Sequence, residues 1–107
     1  MFDAKEIPME NSLTIARLER PDITISIHAQ LRADGGLRLE GDDVGQRVQE
    51  IWGDSDYEYW VDVPASEIGR LLLLLLKEKY DGDTEAVSKF KTFCESNGIA
   101  HSFFNWM

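Results

Sequence analysis

Alternation of hydrophobic and polar residues is clearest in the segment DITISIHAQLRA at 22–33. Its apolar residues recur at every second position, which is typical of a strand with one buried and one polar face. A weaker strand is predicted before it at 12–19, and the segment LRLEG at 37–41 is predicted as the returning strand. The sequence DGG at 34–36 tolerates positive φ, as a tight hairpin requires. These segments predict an antiparallel meander.

The pattern changes to a helical period after the third strand. Apolar residues at i, i+4, i+7 and i+8 predict a short helix over 42–53, with Asp42 or Asp43 as its N-cap. Alternation returns in YEYWVDV at 57–63, which predicts a fourth strand whose tyrosines and valines share one face. The other face of this strand is predicted to carry Glu58, Trp60 and Asp62.

Two longer helices are predicted in the last part of the chain. The first covers 66–82, starts at Ser66 as N-cap and is apolar almost all round because it contains six consecutive leucines. The second covers 81–98 and carries Cys94 on its apolar side, where a cysteine usually acts as a small hydrophobic residue. The tail at 99–107 is predicted either as a final strand or as an extended segment.

This order of elements predicts an α+β fold. We expect an antiparallel sheet of about four strands, with the C-terminal tail as a fifth strand if it pairs, and two main helices packed on one face. A length of 107 residues suits a single domain over 1–107, in which residues 1–11 form a loose lead-in.

The negative charge is concentrated in one part of the chain. The formal net charge is −9, and the segment from Glu40 to Glu67 contains nine acidic residues and one basic residue, Arg47, a net −8. Such a chain should repel nucleic acid and anionic membranes, because binding to phosphate depends on Lys and Arg. A localised negative field instead favours a basic protein partner, although excess charge also serves solubility.

Cysteine content and hydropathy bear on the compartment. The single cysteine allows no internal disulfide, and the N-terminal residues lack the apolar core of a signal peptide. The leucine run from Leu71 to Leu76 is far shorter than the roughly 20 residues that span a bilayer. We therefore expect a soluble, cytoplasmic protein.

Motifs for metal binding and catalysis are absent from the sequence. Asp54, Asp56 and Glu58 have the spacing that begins a calcium loop, but position six is Tyr59 instead of glycine and position twelve is Ala65 instead of glutamate. Alternating residues of one strand also project side by side from one face, so they do not surround an ion. No nucleophile motif and no phosphate loop occurs. The sequence predicts no catalytic residue, no metal and no cofactor.

A longer combination of segments resembles a group of small bacterial proteins without an established activity. The pattern is WGDSDYEYW followed by GIAHSFF, within a likeness that covers roughly residues 40 to 106. The resemblance implies a bacterial, compact α+β protein and supplies no site. In size and charge the chain is also similar to immunity proteins, which cover the basic active surface of a toxin; no motif accompanies that likeness.

These observations favour a non-enzymatic interaction module that presents an acidic and aromatic surface to a basic partner. Trp60 is the expected anchor, because Trp and Tyr are favoured in interfaces. One alternative is a small enzyme or ligand-binding domain that uses His28 or His101 with nearby carboxylates. Another is a homodimer formed through the leucine-rich helix. The residues predicted to bind the partner are Asp42, Asp43, Asp54, Asp56, Glu58, Trp60 and Asp62.

Overall fold

A computed structural model describes residues 11–106 and has the predicted α+β class. Its four strands form one antiparallel sheet in chain order, so that every strand pairs with its neighbour in the chain. A 3₁₀ turn at Ala65–Glu67 precedes the second helix. The elements are β1 (Ser12–Arg20), β2 (Ile23–Leu31), β3 (Leu37–Val44), α1 (Gln46–Trp52), β4 (Asp56–Val63), α2 (Ile68–Tyr80) and α3 (Ala86–Ser96).

The chain divides into two compact units, Met1–Arg70 and Leu71–Met107. The first contains the sheet and α1, and the second contains most of α2 and all of α3. A single domain over 1–107 and the packing of both helices on one sheet face stay predictions. Residues 1–10 of the predicted lead-in lie outside the described residues. No helix between residues 11 and 106 is both long enough and apolar enough to cross a membrane.

The cross-strand register gives the sheet two chemically different faces. Residues opposite each other in an antiparallel pair project to the same side. Ile27 faces Gly41 and Gly41 faces Tyr59, which places the apolar residues of β2, β3 and β4 together. We call the opposite side the polar face; it carries Thr24, Ser26, His28, Gln30, Arg38, Glu40, Asp42, Val44, Asp56, Glu58, Trp60 and Asp62.

The predicted hairpin between β2 and β3 is present. The Arg32 amide donates to the Gly36 carbonyl at 2.8 Å, and the Gly35 amide donates to the Arg32 carbonyl at 2.9 Å. Gly35 has a φ of 90°, which favours a residue without a Cβ. The Asp34 carboxylate accepts the Gly36 amide and closes the turn. This turn fixes the register of β3 on β2 and therefore the composition of both faces.

The prediction that Asp42 or Asp43 caps a helix over 42–53 is wrong. Both residues belong to β3, which continues to pair with β2 as far as Val44. Helix α1 begins only at Gln46, after Gly45, and has no side-chain cap. Local signals for a cap favoured the helix, but extended ladder pairing on both sides of β3 satisfies more backbone groups. The two carboxylates are therefore side chains of the sheet.

The second compact unit, which we call the helical unit, and the turn before it confirm some local predictions and correct others. Ser66 lies within the 3₁₀ turn, and α2 begins after it at Ile68, so the predicted cap at Ser66 is wrong. Cys94 is buried on α3, as its position predicted. The Ile99 amide donates to the Cys94 carbonyl and ends that helix. The tail after Ile99 forms no strand as far as Trp106. Of the two predicted alternatives for this tail, the extended segment therefore remains.

Gly41 is a close-packing point on the apolar side of β3. It is buried, and a Cβ added there would lie 2.3 Å from the ring of Tyr59 on the neighbouring strand. The Tyr59 hydroxyl donates to Asp43 at 2.8 Å, and its ring stacks on Tyr57 with centroids 5.2 Å apart. The hydrogen bond to Asp43 and burial raise the pKa of the Tyr59 hydroxyl. These contacts hold the ring over the glycine.

We expect Gly41→Ala to lower the free energy of unfolding by about 1–3 kcal/mol, because the new methyl group displaces a ring held from two sides. Urea unfolding followed by circular dichroism measures the change. Gly69→Ala is the control: its Cβ meets nothing within 4 Å, and the helical position should gain up to about 1 kcal/mol. Equal stability of Gly41→Ala and wild type would contradict the packing described.

Candidate functional site

Three carboxylates from two strands meet on the polar face. Asp42 on β3 lies directly opposite Glu58 on β4, and Asp56 lies two residues before Glu58 on the same side. One carboxylate oxygen from each of the three lies within 4.8 Å of the others. We call Asp42, Asp56 and Glu58 the carboxylate cluster. Like charges at this separation repel each other, so the backbone register imposes an electrostatic cost.

Asp42 is the inner member of the carboxylate cluster. Its Oδ1 atom is buried and has no hydrogen-bond partner within residues 11–106. The pKa of the Asp42 carboxyl is raised to about 6, first because its protonated form hydrogen-bonds to Asp56. Burial raises this pKa further, as do the negative charges of Asp56, Glu58 and Asp43. Near neutral pH, Asp42 therefore gains from anything that brings a proton or a positive charge to the cluster.

Basic side chains of the polar face are already engaged with other residues. Arg38 donates to both oxygens of Asp62, at 2.6 Å and 2.9 Å. Arg17 of β1, which lies on the same face opposite Ser26, donates to Glu19 and Ser26. This bidentate pairing lowers the pKa of the Asp62 carboxyl and raises that of the Arg38 guanidinium. Within residues 11–106 no salt bridge reaches the carboxylate cluster. Its negative charge is therefore not compensated by the described part of the chain.

Trp60 lies on the polar face, as the alternation of its strand predicted. It is 53% exposed and faces Glu40 across the β3–β4 ladder. The Arg38 guanidinium lies over its ring, 4.9 Å from the centroid. This contact shows that the indole accepts a cation, and just over half of its surface stays open to solvent.

A concavity of about 430 Å³ follows the polar face beside the carboxylate cluster. It brings His28 near carboxylates, as the enzymatic alternative expects. The His28 Nδ1 atom, however, lies 3.4 Å from the Thr14 hydroxyl, and no hydrogen bond joins it to a carboxylate within residues 11–106. The enzymatic alternative therefore stays a prediction. His28 forms no acid–base pair with a described carboxylate. The concavity is lined by Ser26, His28, Arg38, Glu40, Gly41, Asp42, Glu58 and Trp60.

His101, the other candidate base, belongs to the helical unit. Its Nδ1 atom lies 2.7 Å from the Ile99 carbonyl, which fixes the proton on that nitrogen. Its Nε2 atom is 4.0 Å from Glu95, whose carboxylate accepts a hydrogen bond from Lys91 at 2.9 Å. These contacts close the end of α3 and form no acid–base pair at hydrogen-bond distance.

The structure separates the seven residues predicted to bind a partner. Asp43 projects to the apolar side, where it accepts the Tyr59 hydroxyl, and Asp54 lies in the loop before β4. Asp62 shares the polar face, but its charge is balanced by Arg38. Trp52 stacks on Tyr57 on the apolar side, away from Trp60. Of the predicted residues, Asp42, Asp56 and Glu58 come together with an uncompensated charge. Trp60 lies on the same face of the sheet.

The carboxylate cluster offers oxygen ligands of the kind that hard cations prefer. The spacing of acidic residues along one strand does not predict this cluster, because β3 contributes the third carboxylate across the ladder. Two of the three groups, Asp56 and Glu58, are exposed. Exposed acidic groups commonly lie together without a metal, and calcium takes six to eight oxygens. The cluster alone therefore does not define a metal site.

The raised pKa of Asp42 makes stability depend on pH. Its folded-state value of about 6 lies above its usual 3.8, so the folded protein binds this proton more tightly than the unfolded chain. The resulting stabilisation is complete below about pH 4 and is lost as the pH rises through about 6. Asp42→Asn removes the titration and keeps a donor for Asp56. We expect it to be more stable than wild type at pH 7.5, with a smaller difference at pH 4.

Urea unfolding of both proteins across this range measures the effect, and ¹³C NMR of the Asp42 carboxyl locates the titration. Glu50→Gln is the control, because it removes one exposed negative charge on α1 without touching the carboxylate cluster. A stability difference between wild type and Asp42→Asn that stays constant with pH would show that Asp42 titrates normally.

Comparison of the chain with protein-family models, with curated proteins and with solved structures gives no match. The resemblance to a group of small bacterial proteins therefore stays a prediction.

Proposed function

We propose that this protein is a non-enzymatic interaction module of the cytoplasm, which binds a basic protein through the polar face of its sheet. One observation carries the proposal: the carboxylate cluster of Asp42, Asp56 and Glu58 lies beside the exposed Trp60 with no neutralising cation from residues 11–106. A buried acceptor without a donor costs free energy. A Lys or Arg of a partner would supply the missing positive charge and the missing donor together.

Trp60 complements the carboxylate cluster as a contact residue. Its neighbour Arg38 is already paired with Asp62, so an incoming cation meets acidic groups on one side and an aromatic surface on the other. Interfaces of this type combine a buried aromatic anchor with charges that steer association. Inhibition of a toxin through its cationic surface, as in immunity proteins, is one form that this function would take.

The proposal limits the interaction surface to four of the seven residues first predicted. We leave out Asp43 because it lies on the apolar side, Asp62 because it forms a bidentate pair with Arg38, and Asp54 because it lies in the loop before β4. The four remaining residues are Asp42, Asp56, Glu58 and Trp60.

Binding of an octalysine peptide tests the charge part of this proposal. We expect Glu58→Gln and Asp56→Asn each to weaken binding about two- to fivefold at low salt, because each removes one carboxylate of the cluster. Trp60→Ala should weaken it further. Isothermal titration calorimetry at two salt concentrations gives the affinities.

Glu50→Gln is the matched control, since it changes the net charge equally from α1. If Glu58→Gln weakens binding no more than Glu50→Gln does, the peptide responds to net charge alone and the proposed surface is wrong.

A second candidate function is self-association through the helical unit. The leucines at 72–75 on α2 are between 49% and 67% exposed. A concavity of about 660 Å³ lies between α2 and α3 and is lined mainly by apolar residues, among them Leu73 and Phe90. Contiguous exposed apolar surface of this kind marks interfaces in soluble proteins.

Leu73→Lys tests self-association, because a charge at a 67% exposed position is tolerated in a monomer and is unfavourable within an apolar interface. We expect wild type to form a dimer in light scattering at high concentration and Leu73→Lys to remain monomeric. Glu78→Lys, which also adds positive charge on α2, is the control. A monomeric wild type at every concentration removes this candidate.

A further inference from the structure

Strand β4 is an edge of the sheet, and its outer side has no strand partner among residues 11–106. The sheet order ends at β4, and in the described part of the chain β4 pairs with β3 alone. Apart from the ladder with β3, no backbone hydrogen bond within residues 11–106 reaches residues 57–63. In an antiparallel ladder, alternate residues direct their N–H and C=O groups away from the neighbouring strand. β4 therefore presents a row of donors and acceptors over eight residues, Asp56–Val63.

The two edges of the sheet differ in how they are protected against pairing. The β1 edge has an irregular register between Thr14 and Ala16, and such bulges twist an edge away from new partners. β4 keeps an unbroken register from Leu37↔Val63 to Val44↔Asp56. Its sequence, DYEYWVDV, contains neither proline nor lysine, which are the usual guards of an edge. The guard that the sequence of this strand itself provides is its acidic side chains.

Those acidic side chains select the partner. Pairing of β4 with β4 of a second copy would bring the acidic residues of one polar face against those of another, which is unfavourable. A basic strand has the opposite effect, because its Lys or Arg side chains would lie beside Asp56, Glu58 and Trp60. On the other side of the sheet, Tyr57, Tyr59 and Val61 favour apolar neighbours. The complementary segment therefore alternates basic and apolar residues.

We propose that β4 accepts an extended segment of a partner protein as an additional strand, with basic residues over the carboxylate cluster and apolar residues on the opposite side. This inference rests on the proposed function, because it uses the same carboxylates, and it adds the mode of binding. Main-chain hydrogen bonds to the edge would provide affinity, and the alternating side chains would provide specificity. The open surface of Trp60 would cover the aliphatic part of a Lys or Arg side chain.

The test compares two peptides of identical charge with the full chain. The first is acetyl-KVKVKVKVK-amide; the second has the same sequence with N-methyl groups on four consecutive central amides, which blocks both of its edges. We expect the methylated peptide to bind about tenfold more weakly, because several main-chain hydrogen bonds are lost. Amide exchange by NMR should show new protection along β4 with the first peptide only. A third peptide, acetyl-EVEVEVEVE-amide, should not bind.

The outcomes separate this inference from the proposed function. Equal binding of both basic peptides, each weakened by Glu58→Gln, would leave the acidic surface in place and overturn strand addition. Binding unaffected by Glu58→Gln, or no binding of either basic peptide, would overturn both. Protection of β1 amides instead of β4 amides, or binding of the acidic peptide, would also overturn the choice of edge and partner.

Discussion

The backbone register of β3 against β4 is the constraint on which the polar face depends. It places Asp42 opposite Glu58 and brings Asp56 to the same group, although each of these carboxylates would be more stable alone in water. The ladder is fixed on the other side of the sheet, by the packing of Tyr59 over Gly41. Packing on the apolar side therefore stabilises a strand register that charge repulsion on the polar face opposes.

Charge on the polar face is distributed unequally for a physical reason. At one end of the β3–β4 ladder Arg38 compensates Asp62 with two hydrogen bonds, and the Trp60 ring packs against the same guanidinium. At the other end no described basic residue forms a salt bridge with Asp42, whose buried Oδ1 atom lacks a donor. In the first group, the charges of Arg38 and Asp62 balance each other. The second group has no neutralising partner among residues 11–106.

Much of the sheet could be predicted from the sequence, because alternation follows directly from strand geometry. The exposed position of Trp60 and the apolar side of Tyr57 and Tyr59 both followed from a period of two. Interactions between strands could not be predicted in the same way, since they depend on register. The pair of Arg38 with Asp62 joins residues 24 positions apart. The carboxylate cluster likewise joins β3 to β4 and has no spacing signature in the sequence.

The misplaced helix start shows why the candidate site was only partly predicted. Asp42 and Asp43 are good capping residues, and the helical period after them favoured a helix over 42–53. A cap satisfies one or two amides, whereas the extension of β3 pairs the same residues with β2 and β4 at once. Once Asp42 belongs to the strand, alternation sends it to the polar face and Asp43 to the other. The strand conformation of the backbone at this point therefore determines which of the two adjacent carboxylates belongs to the carboxylate cluster.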